Sequence, residues 1–242
     1  MKRIFLLIAV VLGFVATKVN AQQTPDRNKN KNLVKATEEI KPIRFGIRVG
    51  ANLSDWQGET MNSAQDLIDM TDGAVVKRMK EGVHAGVYIS IPVGPGFEIE
   101  PGLQYSQKGT RMIGKLPFKE AEFLNANLTI TNKADYLELP VLAKLYIGEG
   151  FNIYAGPQVA YLLSNKIQAQ AGALGYNVLN REWDMKSGFR EFDMSLIGGI
   201  GYQFSNGFNI SASYDHGLNT IDENGNFETY NRAIKASVGF SF

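Results

Sequence analysis

The stretch LELPVLAKLYIGEGFNIYAGPQVAYLL, residues Leu137–Leu163, indicates the fold most directly. Every second residue from Leu137 to Ile147 is apolar, whereas Glu138 and other polar residues occupy several of the positions between them. The same alternation runs from Phe151 to Tyr161. Because successive side chains of a β-strand point to opposite faces, each half is predicted to be a strand with one apolar face. The intervening Gly148–Gly150 is predicted to be a tight turn.

The same alternation recurs along the chain and predicts eight strands in all. In each strand the apolar face carries no charge, and charged residues lie on the opposite face. Three strands open with Gly-Phe-x-Ile, at Gly96, Gly150 and Gly207, where glycine is expected to end a tight turn at positive φ. The eight segments are Ile43–Ala51, Val83–Ile91, Phe97–Tyr105, Leu137–Ile147, Phe151–Tyr161, Phe192–Phe204, Phe208–Tyr214 and Ile234–Phe242.

The connections between these strands alternate in length. The short ones are Pro92–Gly96, Gly148–Gly150 and Ser205–Gly207. The long ones run approximately over 54–82, 109–134, 165–190 and 219–229. This alternation places the tight turns at one end and the long loops at the other, as in bacterial outer-membrane barrels. We therefore predict an all-β fold: an eight-stranded antiparallel up-and-down transmembrane β-barrel.

Aromatic residues are expected to mark the two edges of the membrane. Phenylalanines cluster beside the short turns and predict a periplasmic girdle, and tyrosines further along the rising strands predict an external girdle. The periplasmic set is Phe97, Phe151, Phe204, Phe208 and Phe242, and the external set is Tyr105, Tyr161 and Tyr214. The girdles, the uncharged face and the loop lengths favour a membrane barrel over a soluble lipocalin-like binder or a β-sandwich.

The N-terminal residues have the pattern of a secretory signal peptide. Lys2 and Arg3 precede the apolar run Ile4–Ala16, and Val19–Ala21 supplies a small-x-small cleavage signal. The run is shorter than the ~20 residues that a membrane helix needs. The predicted organisation is a signal peptide at 1–21, a flexible segment at 22–42 and the barrel domain at 43–242.

Composition excludes several classes of function. Without residues 1–21 the chain has 22 basic and 24 acidic residues, a net charge of −2, so nucleic acid is not expected as a partner. The absence of cysteine removes disulfides and thiol chemistry. Asp222–Asn226 begins like a calcium loop but lacks the required glycine and bidentate acid. No metal and no cofactor are therefore predicted.

Five phrases of the sequence resemble the PorT-like outer-membrane β-barrel family: PGLQYSQKG, DYLELPVLAKLY, FNIYAGPQVAYLL, SYDHGLNTI and the terminal VGFSF. The resemblance covers about Ile43 to Phe242. It implies the outer membrane of a Gram-negative bacterium, with contacts to outer-membrane lipid. The terminal Phe242 resembles the signal that the barrel-assembly machinery reads. The founding member of that family is associated with protein secretion, a role that the fold alone does not transfer.

The interior of an eight-stranded barrel, its lumen, is just wide enough for side chains to fill. Buried charges must pair, since an isolated one costs several kcal/mol. We therefore predict a plug of salt bridges, with Arg48 and Glu100 near its centre; a narrow channel for small solutes is the alternative. The predicted members are Arg44, Arg48, Glu98, Glu100, Glu138, Lys144, Asp193, Asp215 and Lys235.

Catalysis is not expected. Of the two histidines, His84 is predicted to face the lumen and His216 to lie outward at the external rim. Alternation turns Ser211 and Ser213 inward, away from His216, so a nucleophile–base pair is not predicted there. A barrel-embedded lipid-modifying enzyme remains the alternative.

The long loops are the predicted functional part. Ser63–Met70 and Lys119–Leu124 are predicted to form short helices, and Trp56, Trp183 and Tyr176 are candidate anchors for a protein partner. Binding residues concentrate in loops held by a rigid scaffold. The predicted function is a non-enzymatic scaffold, surface-interaction or secretion-accessory protein; the alternative is that these loops merely cap the barrel.

Overall fold

The computed structural model describes residues 42–69, 75–115, 127–173, 176–223 and 228–242. These residues form ten strands, one α-helix and a short 3-10 helix at Lys186–Gly188. The elements are β1 (Arg44–Gln57), α1 (Glu59–Asp69), β2 (Val75–Gly94), β3 (Phe97–Lys108), β4 (Thr110–Lys115), β5 (Asn127–Ile147), β6 (Phe151–Ala173), β7 (Tyr176–Asp184), β8 (Phe192–Gln203), β9 (Phe208–Gly217) and β10 (Tyr230–Ser241). Within the described part of the chain, no helix is long and apolar enough to cross a membrane.

All strand pairs are antiparallel, and their pairings close into a barrel. Eight of these strands pair in the order β1, β2, β3, β5, β6, β8, β9 and β10. β10 returns to β1, with Val49 opposite Val238. A closed barrel leaves no unpaired edge along this circuit. The all-β, up-and-down prediction is therefore confirmed.

Ten strands are present where the sequence analysis predicted eight, and the two additional strands have clear origins. β4 continues β3 beyond Gly109 and pairs with the same neighbours, β2 and β5. β7 precedes β8 on the same side of β6. Gly109 has φ +140°, and a Cβ there would lie 2.1 Å from the carbonyl oxygen of Asn132. Glycine is therefore required at the break between β3 and β4.

The strands extend far into the regions predicted as long loops. β5 has 21 residues and β6 has 23, and both continue beyond the barrel. Their polarity inverts along the way. On β5 the outward face is apolar from Leu137 to Ile147 but polar from Thr129 to Asp135, and the inward residues Leu128 and Ile130 are apolar. The strands predicted from an apolar outward face therefore end where this inversion begins, and the true strands continue beyond it.

The position of the inversion is marked by a bulge. Tyr136 lies opposite Leu162, but Asp135 lies opposite Ser164, so β6 has one extra residue, Leu163. Below the bulge, the ten steps from Leu137 to Ile147 climb about 26 Å at ~3.4 Å per residue and a tilt near 40°. That height matches the apolar band of an outer-membrane barrel.

The short turns use glycine, with one difference from the prediction. Gly96 and Gly207 have positive φ, of 68° and 92°. In the turn between β5 and β6, Gly148 takes this conformation with φ 72°, rather than Gly150. Gly150 is needed for a different reason, because a Cβ there would lie 2.4 Å from the carbonyl oxygen of Gln203.

Candidate functional site

The lumen is filled by layers of paired charges, and the first layer lies beside the short turns. The Arg44 guanidinium donates to Glu98 at 2.6 Å, and the Tyr146 hydroxyl donates to the same carboxylate at 3.0 Å. One layer further in, Arg48 pairs with Glu100 at 2.8 Å, and Lys144 also pairs with Glu100. The structure thus brings together Arg48 and Glu100, the two residues predicted near the centre of the plug, one layer away from the middle of the lumen.

The middle layer is a chain of four charges centred on Glu138. This carboxylate is 0% exposed and lies 2.7 Å from the ammonium groups of both Lys108 and Lys235. Lys235 is also 2.7 Å from Asp215. The Gln104 side chain donates a further hydrogen bond to Glu138 at 2.6 Å. Each buried charge in this chain therefore has an opposite charge within hydrogen-bonding distance.

The layer nearest the long loops is less completely paired. Asp193 is buried and accepts a hydrogen bond from Asn231 at 2.8 Å, but among the described residues it forms no salt bridge. Nearby, Asp55 pairs with Lys77 at 3.2 Å and with Arg232 at 3.0 Å. In the described part of the chain, the predicted member Asp193 is therefore buried without the salt bridge that the plug hypothesis expects of each lumen charge.

A cap of apolar and aromatic residues lies at the external end of the lumen. Tyr136, Ala134, Ala160 and Leu162 form a buried cluster, against which Phe189 packs. The Phe189 ring lies 5.9 Å from the Trp56 ring, between ring centroids. Water-excluding aromatic contacts above a charged interior strengthen the electrostatic attraction of the ion pairs below them.

The space left inside is small. One lumen cavity, bordered by Arg48, His84, Tyr154, Asp215 and Lys235, has a volume of about 20 Å³. To hold one water molecule, a cavity needs roughly 10–15 Å³ in which the centre of a water-sized sphere can lie, and this is the volume given above. This cavity therefore has room for a single water molecule and not for a hydrated ion or a substrate.

The histidines lie on opposite sides of the barrel wall. His84 is buried, and its Nε2 is 2.8 Å from the Ser237 hydroxyl. His216 is exposed and hydrogen-bonds with Gln57 at 2.9 Å. A hydroxyl beside an imidazole is a possible nucleophile–base pair. His84 and Ser237, however, border the cavity of about 20 Å³, which has no room for a substrate.

The predicted girdle residues occupy the outward surface. All five phenylalanines are exposed, as are Tyr105 and Tyr214. Tyr161 is half-buried, and its ring contacts the Phe192 ring at a tilt of 54°, with 5.3 Å between ring centroids. The Lys186 ammonium lies 5.3 Å from the centre of the Tyr161 ring. The backbone amide of Phe242 donates to the carbonyl of Phe45 at 2.7 Å.

A family model described as "Outer membrane protein beta-barrel domain" matches residues 7–223. The chain belongs to this family. Its fold is accordingly a transmembrane β-barrel, and its location is the outer membrane of a Gram-negative bacterium. The soluble lipocalin-like alternative is thereby excluded.

The solved structures that are similar to this chain include those of Ail and of a neisserial surface protein. Ail, the attachment invasion locus protein of Yersinia pestis, is 12% identical with a TM-score of 0.41, and the match covers 84% of this chain and 100% of that one. Neisserial surface protein A is 9% identical with a TM-score of 0.39, over 84% of this chain and 100% of that one. No curated protein sequence matched this chain.

Only some of the residues predicted to form loop helices or anchors lie in the described part of the chain. Ser63–Asp69 lies within α1. Trp183 is exposed on β7, and Trp56 lies in the cap. The helix predicted at Lys119–Leu124, the signal peptide at 1–21, the side chain of Tyr176 and most of Asp222–Asn226 lie outside the described residues.

Lys108 is the main lumen residue that the sequence analysis missed. It is 1% exposed and pairs with Glu138. The signal was present, because Lys108 continues the alternation of Glu98 and Gln104 on β3. Asp55, Lys77 and Arg232 gave no such signal, because they lie beyond the predicted ends of their strands.

Proposed function

We propose that this protein is a non-enzymatic outer-membrane barrel whose lumen is plugged, and that it acts as a scaffold or surface-interaction protein through its external part. Eight of the ten strands, β1, β2, β3, β5, β6, β8, β9 and β10, would cross the membrane. Their closed circuit of pairings and the apolar band on the outward surface support this count.

The main support for a plugged lumen is the chain of charges through Glu138. Moving an ion through the lumen would require separation of Glu138 from Lys108 and Lys235, which are all buried. Breaking a buried ion pair costs about 3–5 kcal/mol. The neighbouring cavity of about 20 Å³ supports the same conclusion, because a hydrated ion cannot enter it.

Conductance in a planar lipid bilayer tests the plug. The wild type is expected to show no stable channel openings. Lys108→Ala combined with Glu138→Ala removes one positive and one negative charge, leaves the pair of Lys235 with Asp215, and is expected to give measurable openings. The matched control is Leu139→Ala on the lipid-facing side of β5, which should stay silent. Steady conductance of the wild type would refute the plug and favour the narrow channel.

The non-enzymatic part of the proposal is supported by the enclosure of His84 and Ser237. The exposed His216 has Gln57 as its hydrogen-bond partner. Replacement of His216 by alanine is expected to leave the lipid A of the host membrane unchanged, as measured by mass spectrometry. An altered lipid A would favour the lipid-modifying alternative.

The resemblance to the PorT-like family supports a narrower proposal, a secretion-accessory role through a protein partner at the external loops. Assembly by the barrel-assembly machinery through Phe242 belongs to the same proposal. Phe242 is 71% exposed at the end of β10, where an incoming factor can reach it. Secretion of the host's exported proteins after deletion of the gene would test the role: unchanged secretion would contradict it.

A further inference from the structure

Beyond the membrane the sheet continues through β4, β5, β6 and β7, and we call the part formed by β5, β6 and β7 the external arm. It consists of 127–135 of β5, 164–173 of β6 and all of β7. Its outer face is polar: Lys166 pairs with Glu182 at 2.8 Å, and Lys133 approaches the same carboxylate at 3.4 Å. The hydrogen bond from Lys166 lowers the pKa of the Glu182 carboxyl.

The inner face of the external arm, on the same side as the lumen, carries exposed apolar residues on either side of one charged residue, Arg181. The strand register places Ile167 opposite Trp183 and Ala171 opposite Leu179. Trp183 is 50% exposed and Leu179 is 45% exposed. A lipid-facing position explains exposed apolar residues below the bulge, but these residues lie above it, in water. Contiguous exposed apolar residues in water mark an interaction surface.

The arm also ends in an unpaired strand edge. Within the described residues, β7 pairs with β6 alone, so its other edge presents free backbone N–H and C=O groups along Tyr176–Asp184. Native proteins usually cover or disrupt such an edge, since it is a template for another strand. Nine residues provide enough length for a typical added strand.

We propose that the free edge of β7 receives an extended segment of a partner protein, added as a further strand of the external arm. The partner segment would place apolar side chains over the inner face beside Leu179 and Trp183, on either side of the position beside Arg181, and polar ones on the outer face. Main-chain hydrogen bonds supply affinity in this mode, and the alternate side chains supply specificity. The inference rests on the proposed surface-interaction function and specifies the chemistry of its partner.

A second copy of the chain fits this edge poorly. Two barrels in one membrane related by a two-fold axis along the membrane normal would bring their β7 strands together in parallel, with their faces reversed. Such a contact would place the inner face of one arm, with Leu179 and Trp183, beside the polar outer face of the other. Antiparallel pairing of two β7 strands would instead turn one barrel upside down. Both arrangements are unfavourable for a second copy, so we assign the edge of β7 to an extended segment of another protein.

The probe is a short fluorescent peptide in which valine and threonine alternate between terminal lysines, titrated onto the full-length protein in detergent micelles. A peptide of the same residues in a non-alternating order is the control ligand. Leu179→Lys and Asn180→Lys form a matched pair, since they add the same charge at adjacent positions on opposite faces of β7. Amide hydrogen exchange of β7 reports where the peptide binds.

We expect the alternating peptide to bind, to protect the β7 amides and to lose at least about tenfold in affinity with Leu179→Lys, or ~1.4 kcal/mol. Asn180→Lys should change affinity by less than about twofold. Leu179→Ser replaces Leu179→Lys if the latter does not reach the folded state. Equal binding of the two peptides, equal effects of the paired variants or unprotected β7 amides would overturn the inference. Failure of peptide binding with an intact, silent barrel would leave the proposed function standing.

Discussion

Replacing Glu138 by glutamine should destabilise the barrel severely, because it leaves the buried Lys108 ammonium without an opposite charge. Lys108 is 1% exposed, and its salt bridge among the described residues is the one to Glu138. Lys235 retains Asp215 at 2.7 Å. One uncompensated buried charge therefore remains, for which the expected loss in the free energy of unfolding is about 3–5 kcal/mol.

The structure also predicts how this loss can be reversed. Lys108→Met together with Glu138→Gln removes both charges and keeps side chains of similar volume, so the pair of Lys235 and Asp215 stays balanced. Replacement of a buried ion pair by neutral residues is often close to neutral. The two substitutions should therefore be coupled by roughly 2–3 kcal/mol in a double-mutant cycle.

Urea unfolding in phospholipid vesicles measures these free energies, with the folded fraction read from heat-modifiable migration on a gel. Glu182→Gln is the matched control, since it makes the same change in an exposed ion pair of the external arm and should not measurably alter unfolding. The reasoning fails if Glu138→Gln costs less than about 1 kcal/mol, well below the range for breaking a buried pair. It also fails if the double variant shows the plain sum of the two single effects.

Three further predictions test the fold. Deletion of Phe242 should reduce the amount of folded protein in the outer-membrane fraction, and wild-type levels would contradict a role in assembly. Leu139→Arg should destabilise the barrel by about 2–4 kcal/mol in vesicles, whereas Thr129→Arg, on the same face of β5 above the bulge, should cost less than about 1 kcal/mol; equal costs would disprove the boundary. Gly109→Ala, which places a Cβ 2.1 Å from a backbone oxygen at φ +140°, should lower the refolding yield, and an unchanged yield would show that the break tolerates a side chain.

The strands that cross the membrane could be predicted from sequence because a single environment governs each of their faces. Hydrocarbon excludes charge from every outward position between Leu137 and Ile147, so the alternation has no exceptions there. The same regularity identifies the inward residues, and the structure brings Arg48 beside Glu100 and Lys235 beside Asp215. Which inward charges meet depends on strand register, which the alternation alone does not fix.

The external arm could not be predicted in this way, because its apolar face is reversed. Along β5, Ile130 and Leu137 are both apolar but lie on opposite faces, and a period-two pattern breaks between them. The extra residue at Leu163 shifts the pattern of β6 in addition. Lys108 was missed for a similar local reason, since the adjacent Gly109 looked like the start of a loop and is instead an interruption within a continuing strand.

The bulge at Leu163 marks a boundary that fixes the depth of the barrel in bilayers of different thickness. Lys133 and Asp135 stand just above it on the outward face, and the uncharged band begins two residues below. Sinking by one pair of residues would carry the Asp135 carboxylate into hydrocarbon, and rising by the same amount would move Leu137 out of the hydrocarbon into water. Vertical travel is therefore penalised in both directions. When host lipids lengthen or shorten, the surrounding acyl chains have to stretch or compress around a barrel whose height stays fixed.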